Sequence, residues 1–558
     1  MKRHALLSAA GCMALATAAA AQDERPNILV ILADDLGFSD LGCYGGEIMT
    51  PVLDSLAENG IRMAQMYNSA RSCPSRANLL TGLYPHQTGL GHMDVSRPKW
   101  PRGYSGFRSD SDNVTIAEVL ADAGYFTAMS GKWHLGNGSN PIRRGFQEYY
   151  GLLHGFDSFW NPDVYRRLPE GRPEREYADG EFYSTVAITD YAIDFIGQAR
   201  EGNKPFFLYL AYNAPHFPLH APKDVIDKYM DTYLKGWDVI RDQRWERIAR
   251  SGLLQGHPDL SPRGIVPESL YMDESYPLPA WNSLTAEEQT DLARRMSVFA
   301  AMVDIMDRNI GRVFDCLRAN GELDNTFIIF MSDNGACAEW HQFGFDGRTG
   351  LEYHIHTGEE LDEMGQPGTY HHYGTGWANV GCTPFTLYKH YCHEGGISTP
   401  CIISWGDHVR RKGSISYQPA QFIDIMSTCA ELAGTTYPVR YRGRDILPSE
   451  GVSLLPVLDG KKLPDRYIYA EHEGNRMIRH GDWKLVSANC RQDEWELYNI
   501  RKDRTEQHNL IDRYPQKAAE LEKAYFEWAD RCDVLYFPAF WNTYNQNRRK
   551  DFKVYKDR

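Results

Sequence analysis

With 558 residues, the chain is long enough for a large domain plus a smaller one, since single hydrophobic cores stop growing at about 250–300 residues. Its formal charge is −14, and loss of Lys2 and Arg3 with the leader described next would make it −16 (−14 − 2). That balance argues against nucleic acid as a partner and against loose attraction to polyanions, so an anionic substrate would need a local cationic pocket. Ten of the eleven cysteines follow Cys12, spread from Cys43 to Cys532 without CxxC spacing, so no zinc site is indicated. One or two disulfides are compatible with an exported protein of this size but not required by it.

Residues 1–21 read as a signal peptide. Lys2, Arg3 and His4 precede a short Ala/Leu-rich core, and Ala19, Ala20 and Ala21 before Gln22 form a small-residue cleavage site. The core falls short of the ~20 residues a membrane span needs. Ala9-Ala10-Gly11 before Cys12 is a poor lipoprotein box. The expectation is therefore an exported protein, periplasmic or at the cell surface.

From Asn27 to Ala33 a continuous apolar run ends in two carboxylates, Asp34 and Asp35. Such a run reads as a strand buried on both faces of a parallel sheet. Ser72 to Gly82 reads as a short helix: Pro74 suits a first helical position and Gly82 the residue just past the end. Ser72 would then lie just ahead of the first turn, where free N–H groups favour an anion. The strand grammar recurs three times. Residues 124–130 lead into Lys132 and His134, 205–212 into His216, and 326–332 into Asp333 and Asn334. Helical patterns lie between them at 52–59, 115–123, 185–199 and 292–320. Alternating strands and helices imply an α/β sandwich around a mostly parallel sheet, whose ligand site lies outside the carboxyl ends of the strands. All four polar clusters fall at those ends.

Two long irregular excursions, 220–284 and 340–383, read as walls or lids of a site. After about Arg440 the pattern changes to short alternating runs near Tyr467, Asn475, Trp483 and Trp495, followed by a helix over 514–531. The expected division is thus a catalytic domain over 22–440 and an α+β subdomain over 441–558, with a small antiparallel sheet and one covering helix.

Asp34, Asp35, Asp333 and Asn334 offer oxygen ligands only, which suits a hard cation, Ca²⁺ or Mg²⁺, rather than zinc. Lys132, His134, His216 and Lys389 form a cationic half able to hold an anion and the extra charge of its transition state.

The order Ser72-x-Pro74-Ser75-Arg76-x-x-x-Leu80-Thr81-Gly82 resembles the signature of the formylglycine-dependent (type I) sulfatases. Gly131-Lys132-Trp133-His134-Leu135-Gly136 resembles their second signature, and the stretches around His216 and Lys389 match further family motifs in family order. The likeness runs from Pro26 to about Leu510 and is greatest to the bacterial arylsulfatase-like group, many of whose members act on sulfated glycans. It implies an alkaline-phosphatase-like sandwich and hydrolysis of sulfate monoesters, with exo-action on a terminal galactose-type residue as the narrower expectation. It implies that Ser72 is oxidised to formylglycine by a radical maturase, as in serine-type members, and that calcium is held by Asp34, Asp35, Asp333, Asn334 and the modified Ser72. By the same resemblance Arg76 holds the nucleophile, Asp333 assists its deprotonation, and Lys132, Lys389 and His216 bind sulfate. His216 also protonates the departing alcohol, and His134 takes the proton that releases sulfate. Two rivals remain at the level of sequence. One is a phosphomonoesterase or phosphodiesterase of the same superfold, which commonly uses two zinc ions and needs His/Asp ligands for a second metal that the sequence does not show. The other is a sulfated-glycan-binding protein with Ser72 unmodified.

Overall fold

The computed structural model describes residues 25–94, 100–108, 112–136, 139–256, 259–266, 276–339, 342–348, 353–488 and 494–536. The leader at 1–21 and Cys12 lie outside the described residues.

A ten-stranded sheet forms the centre. In chain order its strands are β1 (Asn27–Ala33), β2 (Ile61–Tyr67), β3 (Phe126–Gly131), β4 (Glu148–Gly151), β5 (Arg166–Leu168), β6 (Phe206–Ala211), β7 (Thr326–Ser332), β8 (Ser398–Ser404), β9 (Ser414–Ser416) and β10 (Ala420–Gln421). Across the sheet the order is β9-β2-β8-β7-β1-β6-β3-β4-β5, with β10 also paired to β2. β1 lies in the middle, parallel to β6 on one side and to β7 on the other. β8 runs antiparallel between β2 and β7, and β5 antiparallel beside β4. β1, β6 and β7 are buried along their whole length, which is why they read as unbroken apolar runs rather than alternating ones.

Helices cover both faces. On one, α1 (Pro51–Asn59), α4 (Ser184–Glu201) and the long α5 (Ala286–Ala319) share a core with Leu29, Ile31, Leu208 and Phe330, and α4 packs against α5. On the other, α2 (Ser72–Thr81), α3 (Ile116–Asp122) and α6 (Asp424–Leu432) share a core with Ile28, Val30, Phe207 and Ile329. Alternate residues of one strand thus feed opposite cores. Among the described residues no helix is long and apolar enough to cross a membrane, and the nine described cysteines are free.

The excursion over 220–284 is less irregular than its composition suggests. It contains a 15-residue helix, Trp237–Ser251. The helix hides from a hydrophobic reading because two of its buried positions are arginines, Arg241 and Arg244. Arg244 is fully buried and ion-paired to Asp40 (2.6 Å) and Glu47 (2.7 Å), partners far away in sequence.

A second, antiparallel sheet joins β11 (Tyr467–His472), β12 (Asn475–His480), β13 (Trp483–Ser487) and β14 (Trp495–Asn499). The helix α7 (Pro515–Arg531) lays Leu521, Tyr525 and Trp528 over Ile478, Leu485 and Leu497. Glu394 ties this sheet to the large one. Its carboxylate accepts from Tyr67 (3.0 Å), Lys484 (2.9 Å) and Arg504 (2.6 Å), and Arg504 also donates to the Ala64 carbonyl and to Ser398. A buried carboxylate with two cations and a hydroxyl is compensated; any one of them alone would be costly there.

Candidate active site

α2 begins two residues earlier than the cap pattern predicts. Arg71 is the N-cap and Ser72 the first helical residue, so Pro74 lies inside the first turn rather than opening it. All ten residues of α2 are buried, and Gly82 closes it in the left-handed conformation (φ 68°) with its N–H on the Asn78 carbonyl. The helix start points Ser72 at the carboxyl ends of β1 and β7.

Asp34 and Asp35 follow β1. Strict alternation would send neighbouring side chains to opposite faces. Asp35 instead leaves the strand at φ 68°, a conformation that Asp tolerates better than most residues, and both carboxylates enter one pocket. Ser72 Oγ lies 3.3 Å from Asp34 Oδ1 and 3.1 Å from Asn334 Oδ1. Asn334 Nδ2 donates to Asp35 Oδ1 (2.7 Å), and the Asp35 N–H donates to Asp333 Oδ1 (3.2 Å). Arg76, fully buried, gives Nε and one terminal nitrogen to Asp333 Oδ2 and the other to the Lys132 carbonyl.

The cations close around the carboxylates. Lys132 Nζ is 2.6 Å from Asp34 Oδ2, and Lys389 Nζ is 2.8 Å from Asp35 Oδ1. His216 Nε2 stands 3.4 Å from Asp35 Oδ2, while its Nδ1 meets the Phe217 carbonyl at 2.6 Å. That second contact assigns the Nδ1 proton and leaves Nε2 turned to the pocket. His134, at φ 52°, makes no hydrogen bond to the other nine among the described residues. Its Nε2 faces Asp94 at 3.8 Å and its Nδ1 has no partner. Nine of the ten residues singled out from sequence are therefore joined in one pocket by direct contacts, and His134 stands beside them, near enough for Lys132, Arg76, His216 and Lys389 to disfavour its charge.

Their charges are strongly perturbed. Burial, reinforced by Asp333, pushes the Asp34 carboxyl up to about 8 against the pull of Lys132 and Arg76. Burial also opposes ionisation of Asp35, but Lys389, His216 and Lys132 outweigh it and hold that carboxyl below the usual range. Lys132 is lowered, chiefly by burial, whereas Lys389 is raised because Asp35 overcomes its burial. Burial pushes both His134 and His216 well below an ordinary imidazole.

Three carboxylates and an amide oxygen packed in the interior fit a hard dication, which would supply the positive charge that such a donor set lacks. Asp34, Asp35, Asp333 and Asn334 could hold it. Ligand atoms of Asp34, Asp35 and His216 lie within 4.8 Å of one another, so His216 stands at the rim of the same cluster.

Three neighbours escaped the sequence reading. Arg71 forms an ion pair with Glu339 at the helix start. Asp94 backs His134. Phe156, 37% exposed, stacks on His216 at 5.7 Å and sets an apolar ring beside that imidazole. Each is a single residue in a loop without a spacing pattern.

The comparisons agree with this geometry. The Sulfatase family model matches residues 26–435, and the model for the C-terminal part of N-sulphoglucosamine sulphohydrolase matches 385–527. The chain is 35% identical over 474 residues to an arylsulfatase of Klebsiella aerogenes, covering 83% of this chain and 98% of that protein. It is 29% identical over 584 residues to an N-acetylglucosamine-6-O-sulfatase of Bacteroides thetaiotaomicron, covering 92% and 89%. Among solved structures, Ps i-CgsB in complex with k-i-k-neocarrahexaose superposes with a TM-score of 0.64 at 26% identity, covering 94% of this chain and 97% of that one. The chain belongs to the type I sulfatase family and is a sulfuric ester hydrolase of alkaline-phosphatase-like fold.

Proposed function

We propose that the protein removes sulfate from sulfated carbohydrates through a formylglycine made from Ser72. The observation that carries this reading is the position of Ser72 Oγ between Asp34 and Asn334, with two buried lysines and two imidazoles around it. A serine hydroxyl has no strong base here and is a weak nucleophile as it stands. Oxidised by a radical maturase, the residue would supply an aldehyde hydrate, one hydroxyl of which attacks sulfur while the other later expels sulfate. A bound Ca²⁺, or Mg²⁺, would supply Lewis-acid charge to the sulfuryl oxygens.

The chain's own groups do the rest. Arg76 fixes Asp333, and Asp333 assists deprotonation of the nucleophile. Lys132 and Lys389 hold sulfate oxygens and stabilise the charge that develops on them. His216 Nε2 delivers a proton to the departing alcohol oxygen, and His134 accepts one on the opposite step. Phe156 and the 220–284 and 340–383 excursions exclude water and contact the leaving group. The names of the N-acetylglucosamine-6-O-sulfatase relative and of the Ps i-CgsB complex support a carbohydrate leaving group. We propose exo-action on a galactose-type residue as its narrower form. The leader at 1–21 supports export to the periplasm or cell surface, and the unit over 22–440 is proposed as the catalytic domain, with 441–558 as a subdomain.

Ion chromatography of sulfate released from sulfated galactose oligosaccharides by the matured protein tests this. Stoichiometric sulfate with the sugar chain left uncut is expected. Turnover of aryl sulfates without release from any sulfated sugar would overturn the carbohydrate reading.

A further inference from the structure

Beside the sulfate end of the pocket lies a second cluster that the reaction leaves unused. The turn between β11 and β12 brings His472 and Glu473 against His390, the residue after Lys389. One ligand atom from each of these three lies within 4.8 Å of the others. His390 Nδ1 is 3.5 Å from Glu473 Oε2, and His472 Nε2 is 3.7 Å from Glu473 Oε1. Ligand atoms about 2.0–2.2 Å from a tetrahedral ion stand roughly 3.3–3.6 Å apart, so each imidazole is near ligand spacing from one oxygen of Glu473, and a small inward shift of the three side chains would close the set around an ion. The two imidazoles are nearly perpendicular, with centroids 5.1 Å apart.

Two further features point to a ligand. His472 is fully buried, yet neither ring nitrogen makes a hydrogen bond. Burying a polar ring without compensation is unfavourable unless something else satisfies it. His390 (φ 89°) and Glu473 (φ 50°) both hold backbone conformations that non-glycine residues rarely adopt. The surroundings are those of a supported ligand set. His92 Nδ1 is 2.5 Å from Glu473 Oε1, a contact that would orient a ligating carboxylate, and Trp100 stacks on His92 at 5.8 Å. Arg71, the cation facing the cluster, is ion-paired with Glu339.

We propose that His390, His472 and Glu473 bind one divalent transition-metal ion of the zinc class, separate from the hard cation expected at Asp34, Asp35, Asp333 and Asn334. Imidazole nitrogen with one carboxylate suits Zn²⁺ in the way that the all-oxygen set suits Ca²⁺. Three protein ligands leave a fourth position for water or a hydroxyl. The side chains of His390 and Glu473 keep 22% and 15% exposure, so the position is reachable from outside.

The test uses the full chain stripped with a chelator, then titrated with Zn²⁺ or Co²⁺ while metal content is read by mass spectrometry. About one equivalent of Zn²⁺ is expected, with Co²⁺ giving the intense visible bands of a four-coordinate site. His390→Gln, at a partly exposed position, should keep the native circular dichroism and calcium content while zinc affinity falls by about tenfold or more. His472→Ala should lose the cobalt bands. Absence of Zn²⁺ and Co²⁺ uptake by the wild-type chain, or undiminished uptake by folded His390→Gln, would overturn the proposal. Neither readout depends on turnover, so failure here would leave the sulfatase reading standing.

Discussion

Replacing His216 by alanine tests a role rather than a position. The ring is pinned: Nδ1 is held by the Phe217 carbonyl at 2.6 Å, Phe156 stacks on one face, and Nε2 looks past Asp35 into the pocket. Nothing but Nε2 is offered to a departing oxygen from this side chain. A sugar alkoxide needs protonation as the S–O bond breaks, whereas a nitrophenolate departs nearly unaided. General acid catalysis contributes about 10²–10⁴-fold where the leaving group needs it, or roughly 3–5 kcal/mol of barrier. His216→Ala should therefore lower kcat for a sulfated sugar by about 10²–10⁴-fold, and for nitrophenyl sulfate by less than about tenfold. The pH dependence has a definite sign. Burial, with Lys132 and Lys389, outweighs Asp35 and holds the His216 pKa low. The acid form of the free enzyme is thus lost as pH rises, and kcat/KM for the sugar sulfate should fall from mildly acidic pH upward. In His216→Ala that limb should vanish. Stopped assays of both substrates across pH 5–9 make the comparison. Equal losses on the two substrates would refute the assignment and make His216 a sulfate ligand, with Lys389 the better proton donor.

Other perturbations follow from the same geometry. Ser72→Ala removes the nucleophile and little packing, so turnover should vanish while thermal stability holds; substantial residual turnover would contradict the assignment. Chelation should abolish activity, with Ca²⁺ restoring it in the wild type but not in Asp333→Ala; metal analysis of that variant should find the hard cation gone. Glu394→Gln leaves the buried Arg504 without its carboxylate, while Lys484 keeps Glu506 at 2.7 Å, and should cost about 3–5 kcal/mol in urea unfolding. A loss under about 1 kcal/mol would mean that the two sheets are joined chiefly by apolar contact.

The strands carrying the site were legible because β1, β6 and β7 are buried on both faces and end abruptly in polar residues. Position at a strand end then assigns the pocket without any knowledge of packing. The Trp237–Ser251 helix was not legible, because Arg244 occupies a core-facing position and is neutralised by Asp40 and Glu47 from the far end of the chain. Local pattern carries no trace of such a partner. The start of α2 slipped by two residues for a related reason: no side chain caps it, and Arg71 is oriented by Glu339 instead. Asp94, Phe156 and the His390, His472 and Glu473 cluster depend on loops meeting in space, which residue spacing does not encode.

The proposed reaction requires Ser72 to be converted to an aldehyde, and a peptide mass answers that directly. Protein taken from its native host should yield a Ser72-containing peptide lighter by a pair of hydrogens and reactive toward hydrazides, in proportion to specific activity. A fully active preparation with Ser72 intact would contradict the formylglycine mechanism.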